Sequence, residues 1–342
     1  MIDAMVKEIK WAASEERESL KTLYFGGGTP SLLEAEELEL LVRTVNEEFG
    51  SSYEEFTLEA NPDDISSEKV QMWKQLGVNR LSIGLQSFKE QDLLWMNRAH
   101  NVEQSNNCVA IAKAGGIDNI TVDLMYGLPA LTDEEWKSHI HRVMELGVDH
   151  VSAYCLTIEE RTALAKKVAK DEIIPLDEDQ QSRQFEILLE ELHKGGFEQY
   201  EISNFSKPGC ESKHNSAYWN GSKYIGIGPS AHSFTGEQRR WNISNNSQYI
   251  KHLSEDSVWY EYETLTETDR FNELLLTGLR TVRGVDLKHL EQLGALDTIF
   301  WKNVRQFIEQ QLMIHHNDSL YLTPKGRLQA DYIASELFKV ND

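Results

Sequence analysis

A partial parallel α/β barrel followed by a smaller α+β domain is the architecture this sequence predicts. Short β-rich runs alternate with amphipathic helical stretches at about 30 residues per unit, the size of a βα repeat. The unusual polar and glycine residues fall just after the strands, where a parallel barrel carries its site. Only six such units are countable, against the eight of a closed barrel, so one side is expected to stay open.

In order, strands are expected over residues 22–25, 55–58, 80–83, 119–124 and 150–154, with a sixth over 197–202. Helices are expected over 35–49, 67–76, 103–114, 133–146 and 178–194. Thr132 is followed three positions later by Glu135, a capping-box pattern, and Ser66 or Ser67 can cap the helix after Pro62. Gly77, Gly147 and Gly195-Gly196 stand where helices should stop. From about Ser206 the texture changes, and Lys207-Pro208-Gly209 marks a turn. Residues 210–246 are rich in Asn, Ser, Gly, His, Tyr and Trp and show little helical periodicity. Residues 268–338 read as helix, short helix, long helix, strand pair, helix. The pair over 312–315 and 319–322, joined by Asn317-Asp318, resembles a small wing. The expected domains are 1–205 and 206–342.

The chain has 342 residues, 40% of them hydrophobic, enough to bury a large core. Its 34 Lys and Arg against 56 Asp and Glu give a formal net charge of −22. That disfavours a broad surface for nucleic acid or anionic membrane, so the wing is read as structural or protein-binding. No stretch approaches the roughly 18 uninterrupted apolar residues of a membrane span. The start, Met1-Ile2-Asp3-Ala4-Met5, lacks the basic and apolar regions of a signal peptide. A reducing cytoplasm is the expected location. Cys108, Cys155 and Cys210 have neither disulfide-framework nor metal-ligand spacing.

Gly26-Gly27-Gly28-Thr29-Pro30 follows the first expected strand. Its amides and the Thr29 hydroxyl suit a carboxylate or an amine-bearing ligand, or the glycines serve a tight βα turn. Neither a Walker loop nor a dinucleotide fingerprint is present. Glu59 can accept from an ammonium or a ribose hydroxyl, or it is a solvated turn residue. Asp123 lies inside an apolar run, where a carboxylate is costly unless partnered. Gln86 and Arg98 are ambiguous alone, although arginine can clamp a carboxylate. His214, with Tyr218 and Trp219 beside it, suits a flat apolar ligand or a metal, or is an ordinary hydrogen-bonding residue. His315-His316 is assigned no role.

Taken together, these segments resemble a known family. Tyr24-Phe25-Gly26-Gly27-Gly28-Thr29-Pro30-Ser31, Leu58-Glu59-Ala60-Asn61-Pro62, the stretch from Arg80 to Phe88, and Asp123-Leu124-Met125-Tyr126-Gly127-Leu128-Pro129 resemble the radical S-adenosylmethionine enzymes related to oxygen-independent coproporphyrinogen III oxidase. The stretch from Tyr200 to Phe205 and His214-Asn215-x-x-Tyr218-Trp219 point to its haem-chaperone, HemW-type branch. The resemblance covers essentially the full length. It implies a partial (β/α)6 TIM-like barrel and a C-terminal domain that helps close its mouth. It implies that Gly27, Gly28 and Thr29 contact the methionyl end of S-adenosylmethionine, with Glu59 near its polar groups. Gln86, Arg98 and Asp123 would meet ribose and carboxylate, of the same or a second molecule. His214 and Tyr218 would belong to a haem-handling segment. Haem delivery to respiratory proteins is the implied end use.

The departure is equally specific. The family carries C-x3-C-x2-C upstream of the glycine loop to hold a [4Fe–4S] cluster, and this chain has no cysteine before Cys108. A first strand and cluster loop, about 30 residues, are expected to be missing through truncation rather than lineage loss. The chain alone should then hold no cluster, cleave no S-adenosylmethionine, and expose a barrel edge that favours a homodimer. The competing readings are the porphyrin-decarboxylating oxidase itself and a cluster-free haem-binding module. No metal triad or nucleophile–base pair supports a barrel hydrolase.

Overall fold

The computed structural model describes residues 1–16 and 18–340. They form two compact units. One unites Met1–Lys21, Glu34–Tyr53 and the chain from Lys213 onward; the other unites Thr22–Leu33 and Glu54–Ser212. The last break between the units falls at 212/213. The helices α1 (Ile2–Glu15) and α2 (Ala35–Phe49) nevertheless group with the C-terminal residues.

The unit spanning Glu54–Ser212 is built on a seven-stranded sheet. Its strands are β1 (Thr22–Phe25), β2 (Glu55–Ala60), β3 (Arg80–Gln86), β4 (Asn119–Tyr126), β5 (His150–Cys155), β6 (Glu198–Glu201) and β7 (Asn204–Ser206). Their order is β1-β2-β3-β4-β5-β7-β6, and β1 to β5 pair in parallel. Consecutive order without reversal means that every crossover steps the same way. With right-handed crossovers the helices then share one face, as in a TIM-like barrel and unlike a doubly wound sheet. The unit's helices are α3 (Ser67–Gln75), α4 (Glu90–Trp95), α5 (Val102–Ala114), α6 (Asp133–Glu145), α7 (Ala163–Val168) and α8 (Glu178–Lys194). Ser66 caps α3 through the Lys69 amide, and Thr132 with Glu135 forms the expected box on α6.

Side chains alternate along the strands. Phe56, Leu58, Leu81, Ile83, Val122, Leu124 and Val151 point one way and are buried with Trp73 of α3 and Trp136 of α6. Trp136 meets Tyr126 of β4 with ring centroids 5.5 Å apart. The opposite face carries Glu55, Glu59, Arg80, Ser82, Thr121, Asp123, His150 and Ser152. Near the strand starts these polar groups satisfy each other. Arg80, 2% exposed, stands 4.0 Å from Glu55, donates to Asn119 at 2.7 Å and also to Thr121. His150 bridges Thr121 and the Tyr200 hydroxyl at 3.1 and 2.8 Å. Burial pushes its pKa well down, so it bridges as a neutral ring.

The sixth strand expected over 197–202 is present and runs in the same direction as β5, but the expected direct pairing with β5 is corrected. β6 occupies 198–201 but does not pair with β5. The chain turns at Ile202-Ser203, and β7 runs antiparallel between β5 and β6. Two residues suffice for an antiparallel hairpin, whereas a parallel neighbour needs a long crossover.

In the other unit, residues 210–246 are not irregular throughout, a second correction. They contain α9 (Lys213–Trp219), β8 (His232–Phe234) and β9 (Gln238–Asn242). After α10 (Asn246–Ser254), β10 (Tyr260–Thr264) completes an antiparallel sheet in the order β10-β9-β8. Helix α9 is too short, and its segment too rich in polar and aromatic residues, to show an apolar stripe. Then come α11 (Glu267–Leu279), β11 (Val285–Asp286), α12 (Leu287–Leu293), α13 (Thr298–Glu309), β12 (Met313–His316) and β13 (Ser319–Leu322). The expected wing is present, with β11 as its third strand. Around Tyr249, Leu253 and Trp259 this unit buries Glu8 of α1 completely.

Candidate functional site

Each of the first four parallel strands delivers polar groups at its C-terminal end. After β1 the chain turns through three glycines. Gly27 and Gly28 adopt φ of 77° and 75°, conformations that L side chains avoid, and no atom lies within 4 Å of where their Cβ atoms would stand. The loop leaves open space at these two positions, and the Gly27 amide is engaged by Glu59. Gly26 is tight: a Cβ there would strike the Tyr24 ring and the Glu59 carboxylate. Thr29 opens the turn Pro30–Leu32, and its hydroxyl makes no capping bond.

Glu59 ends β2 and accepts from the Tyr24 hydroxyl at 2.7 Å and the Gly27 amide at 3.0 Å. Burial and this carboxylate push the Tyr24 phenol far up, so it stays a donor. Gln86 closes β3 with φ of 66°, where the β3–β4 pairing shifts register. A positive φ at a non-glycine residue is strain that folds retain at functional sites.

Arg98 follows α4. Its Nη2 donates to Asn61 Oδ1 at 2.8 Å and to the Gly84 carbonyl at 2.9 Å. Its Nε is buried and has no hydrogen-bond partner. Gly84 leaves the room, since a Cβ there would stand 3.1 Å from Nη2. Burial lowers the guanidinium pKa, while Asp63 and Asp123 oppose that fall.

Asp123 lies on β4 with the Ser82 hydroxyl 3.5 Å from both carboxyl oxygens. Burial, then the charge of Glu59, push its pKa up to about 7, partly offset by the Ser152 and Ser82 hydroxyls and Arg80. Near neutrality Asp123 therefore exchanges its proton. Glu59 and Asp123 can accept from an ammonium and from a diol, and Arg98 can donate to a carboxylate.

The structure thus gathers Gly27, Gly28, Thr29, Glu59, Gln86, Arg98 and Asp123 at one end of one sheet. It places His214 and Tyr218 on α9, in the other unit. Their rings meet edge to face at 5.1 Å, Tyr218 meets Tyr224 at 4.7 Å, and Tyr224 meets Phe234 at 6.0 Å. Tyr218 is 43% exposed. Sequence reasoning missed Tyr24, Asn61, Ser82, Ser152 and Asn204 as site residues. The signal was available: buried parallel strands read as continuous apolar runs, yet β3 to β5 place polar residues at every second position.

Residues 2–143 match the Radical SAM superfamily, and residues 265–328 match the HemN C-terminal domain. A "Heme chaperone HemW" of Bacillus subtilis is 35% identical over 96% of this chain and 88% of that protein. A mitochondrial "Radical S-adenosyl methionine domain-containing protein 1" of Dictyostelium discoideum is 33% identical over 99% of this chain and 85% of that protein. This chain belongs to the HemW-type radical SAM family. The solved coproporphyrinogen III oxidase (HemN) of Escherichia coli shares its fold. The TM-score is 0.83 at 22% identity, over 98% of this chain and 82% of that one.

The family implies S-adenosylmethionine and a [4Fe–4S] cluster. The residues present fit the first: the glycine loop leaves space at Gly27 and Gly28, and the buried Arg98 Nε has no hydrogen-bond partner. They do not fit the second. Cys108 is buried in α5, Cys155 ends β5 beside Gln181, and Cys210 precedes α9. Burial pushes the Cys108 and Cys155 thiols up to about 12 and about 11, away from the thiolate that binds iron. Among the described residues no three His, Cys, Asp or Glu side chains gather to hold a metal ion. No helix is long and apolar enough to cross a membrane, again among the described residues.

Proposed function

We propose that this chain is a haem chaperone whose barrel mouth binds S-adenosylmethionine. The observation that carries the second half is Arg98, whose Nε is buried without a hydrogen-bond partner while its guanidinium feels the charges of Asp63 and Asp123. Gly27, Gly28 and Thr29 receive the methionyl end, and Glu59 accepts from its ammonium. Gln86, Arg98 and Asp123 hold ribose hydroxyls and a carboxylate, of this molecule or a second one. Tyr24 keeps Glu59 oriented by donating to it. In this family S-adenosylmethionine and the iron–sulfur cluster together supply radical chemistry. The three cysteines present do not fit that cluster.

The haem half rests on the relatives named heme chaperones and on the ring cluster around His214. A flat macrocycle fits an exposed aromatic edge, with His214 as the candidate iron ligand and Tyr218 beside it. Haem-accepting respiratory proteins are the proposed recipients, the cytoplasm is the proposed location of this chain, and the β1 edge is the proposed place for self-association. Haem titration of the full chain and of His214→Ala tests this. Saturable binding that weakens at least tenfold in the variant is expected. Porphyrinogen decarboxylation by a cluster-loaded protein that binds no haem would instead make it an oxidase.

A further inference from the structure

One row of residues crosses the sheet at the level of Asp123. Asp123 of β4 is paired in register with Ser152 of β5, Ser152 with Asn204 of β7, and Asn204 with Glu201 of β6. Pairing in register puts the four side chains on one face, each beside the next. Ser152, Asn204 and Glu201 are all buried, at 3%, 5% and 2% exposed. The Ser152 hydroxyl donates to Asn204 Oδ1 at 2.7 Å. Asn204 Nδ2 donates to Glu201 Oε1, which also accepts from the Ser203 amide at 3.2 Å. Glu201 therefore fixes the amide's orientation: only a donor can face that carboxylate, so the oxygen must face Ser152.

A serine hydroxyl has one proton. Ser152 has two acceptors for it, Asn204 Oδ1 and the carboxylate of Asp123. When Asp123 is protonated it can donate to Ser152, and the row then runs in one direction, from Asp123 through Ser152 and Asn204 to Glu201. When Asp123 is ionised it competes with Asn204 for the same hydroxyl. We propose that Asn204 is a positioning residue for Asp123, acting through Ser152, so that the β6–β7 hairpin turns the Ser152 hydroxyl away from this carboxyl. The role rests on the reading of Asp123 as a ligand-binding group. A hydrogen-donating Asp123 beside Glu59, which accepts from Tyr24 and Gly27, would give the mouth a donor as well as an acceptor, which distinguishes the two hydroxyls of a ribose. Asp123 is also faced by Tyr24 of β1, Glu59 of β2, Arg80 and Ser82 of β3, Tyr154 of β5, and Arg98. None of these is altered by a change at Asn204.

The test is carboxyl 13C NMR of the full chain labelled at aspartate, with Asp123→Asn assigning the signal. Asn204→Ala frees the Ser152 hydroxyl to serve the ionised carboxylate, so the Asp123 midpoint falls by about one pH unit. Asn204→Asp keeps an acceptor towards Ser152 and, protonated, a donor towards Glu201, so the midpoint stays at or above that of the parent. In a Ser152→Ala background, Asn204→Ala leaves the midpoint where Ser152→Ala alone puts it. An unchanged midpoint in Asn204→Ala, an equal fall without Ser152, or a fall in Asn204→Asp overturns the proposal. Titration with S-adenosylmethionine separates the two claims. If the parent does not bind it while the midpoints move as described, the ligand reading fails and the relay stands. If it binds and the midpoints do not move, the relay alone fails.

Discussion

Two carboxylate centres in this chain, one in each unit, meet the cost of burial in opposite ways. Glu8 is wholly buried, and both of its oxygens are saturated. It accepts from the Gly228 amide at 2.8 Å, the Asn242 amide at 2.6 Å, the Trp259 indole at 3.1 Å and the Tyr249 hydroxyl. All four donors are neutral. Asp123 has two distant serine contacts and a carboxylate for a neighbour, and its charge is held off by burial. Buried polar groups in structural roles are satisfied. Asp123 is left under-satisfied within its strand, and the Arg98 guanidinium, whose Nε has no partner, feels its charge.

The largest way to break the contrast is to remove Glu8. Glu8→Ala strands four buried donors that come from separate segments of the unit. Each stranded donor costs about 1–3 kcal/mol before relaxation, so a loss of at least 3 kcal/mol is expected. Urea unfolding followed by tryptophan fluorescence measures it, since Trp11 and Trp259 pack in that core with centroids 5.0 Å apart. A loss below about 1 kcal/mol would remove Glu8 as the unit's organising group.

Asp123→Asn should act with the opposite sign. The folded-state pKa, about 7, lies above the ordinary aspartate value of 3.8. The stabilisation that comes with holding the proton is complete below about pH 4 and is lost as pH rises through 7. Over that window the parent should lose about 2–4 kcal/mol from this group. Asp123→Asn, which is neutral throughout, should flatten that part of the stability profile. At pH 8 it should be more stable than the parent while binding S-adenosylmethionine at least tenfold more weakly. Urea midpoints between pH 4 and 8 test the first part, and calorimetric titration tests the second.

Much of this contrast was legible beforehand, and the remainder was hidden for physical reasons. The helices over 35–49 and 178–194 were visible to the residue, because amphipathic periodicity and caps are local. Glu59, Asp123 and the glycine loop were visible because a carboxylate in an apolar run and three consecutive glycines are locally costly. The β6–β7 hairpin was hidden, because strand direction is decided by pairing partners rather than by composition. Arg98 was ambiguous for a related reason: its importance lies in what its Nε lacks, which only the packed structure reveals. The Glu8 cluster was invisible, since its donors lie more than 200 positions away in sequence.

Gly84→Ala sharpens the comparison from within the open site. The added Cβ would press on Arg98 Nη2 at 3.1 Å, and the far end of a long side chain can give way. Stability should change by less than about 1 kcal/mol. Arg98 would nevertheless leave the Gly84 carbonyl and Asn61, and S-adenosylmethionine affinity should fall about tenfold. A stability loss as large as that of Glu8→Ala would mean that Arg98 braces the fold and does not wait for a ligand.

The smallest effect is expected at Tyr218, where the comparison reaches the C-terminal unit's own exposed surface. Its ring contacts His214 and Tyr224 edge to face, and such pairs contribute about 0.5–1.5 kcal/mol when buried. Tyr218 is 43% exposed, so Tyr218→Ala should cost under about 1 kcal/mol. If the cluster is a haem-binding edge, haem affinity should fall several-fold in the same protein, because the macrocycle loses a stacking wall while His214 remains. If haem affinity is unchanged and stability drops by 2 kcal/mol or more, the rings around α9 are packing, as the donors around Glu8 are, and the haem site must be sought elsewhere on the chain.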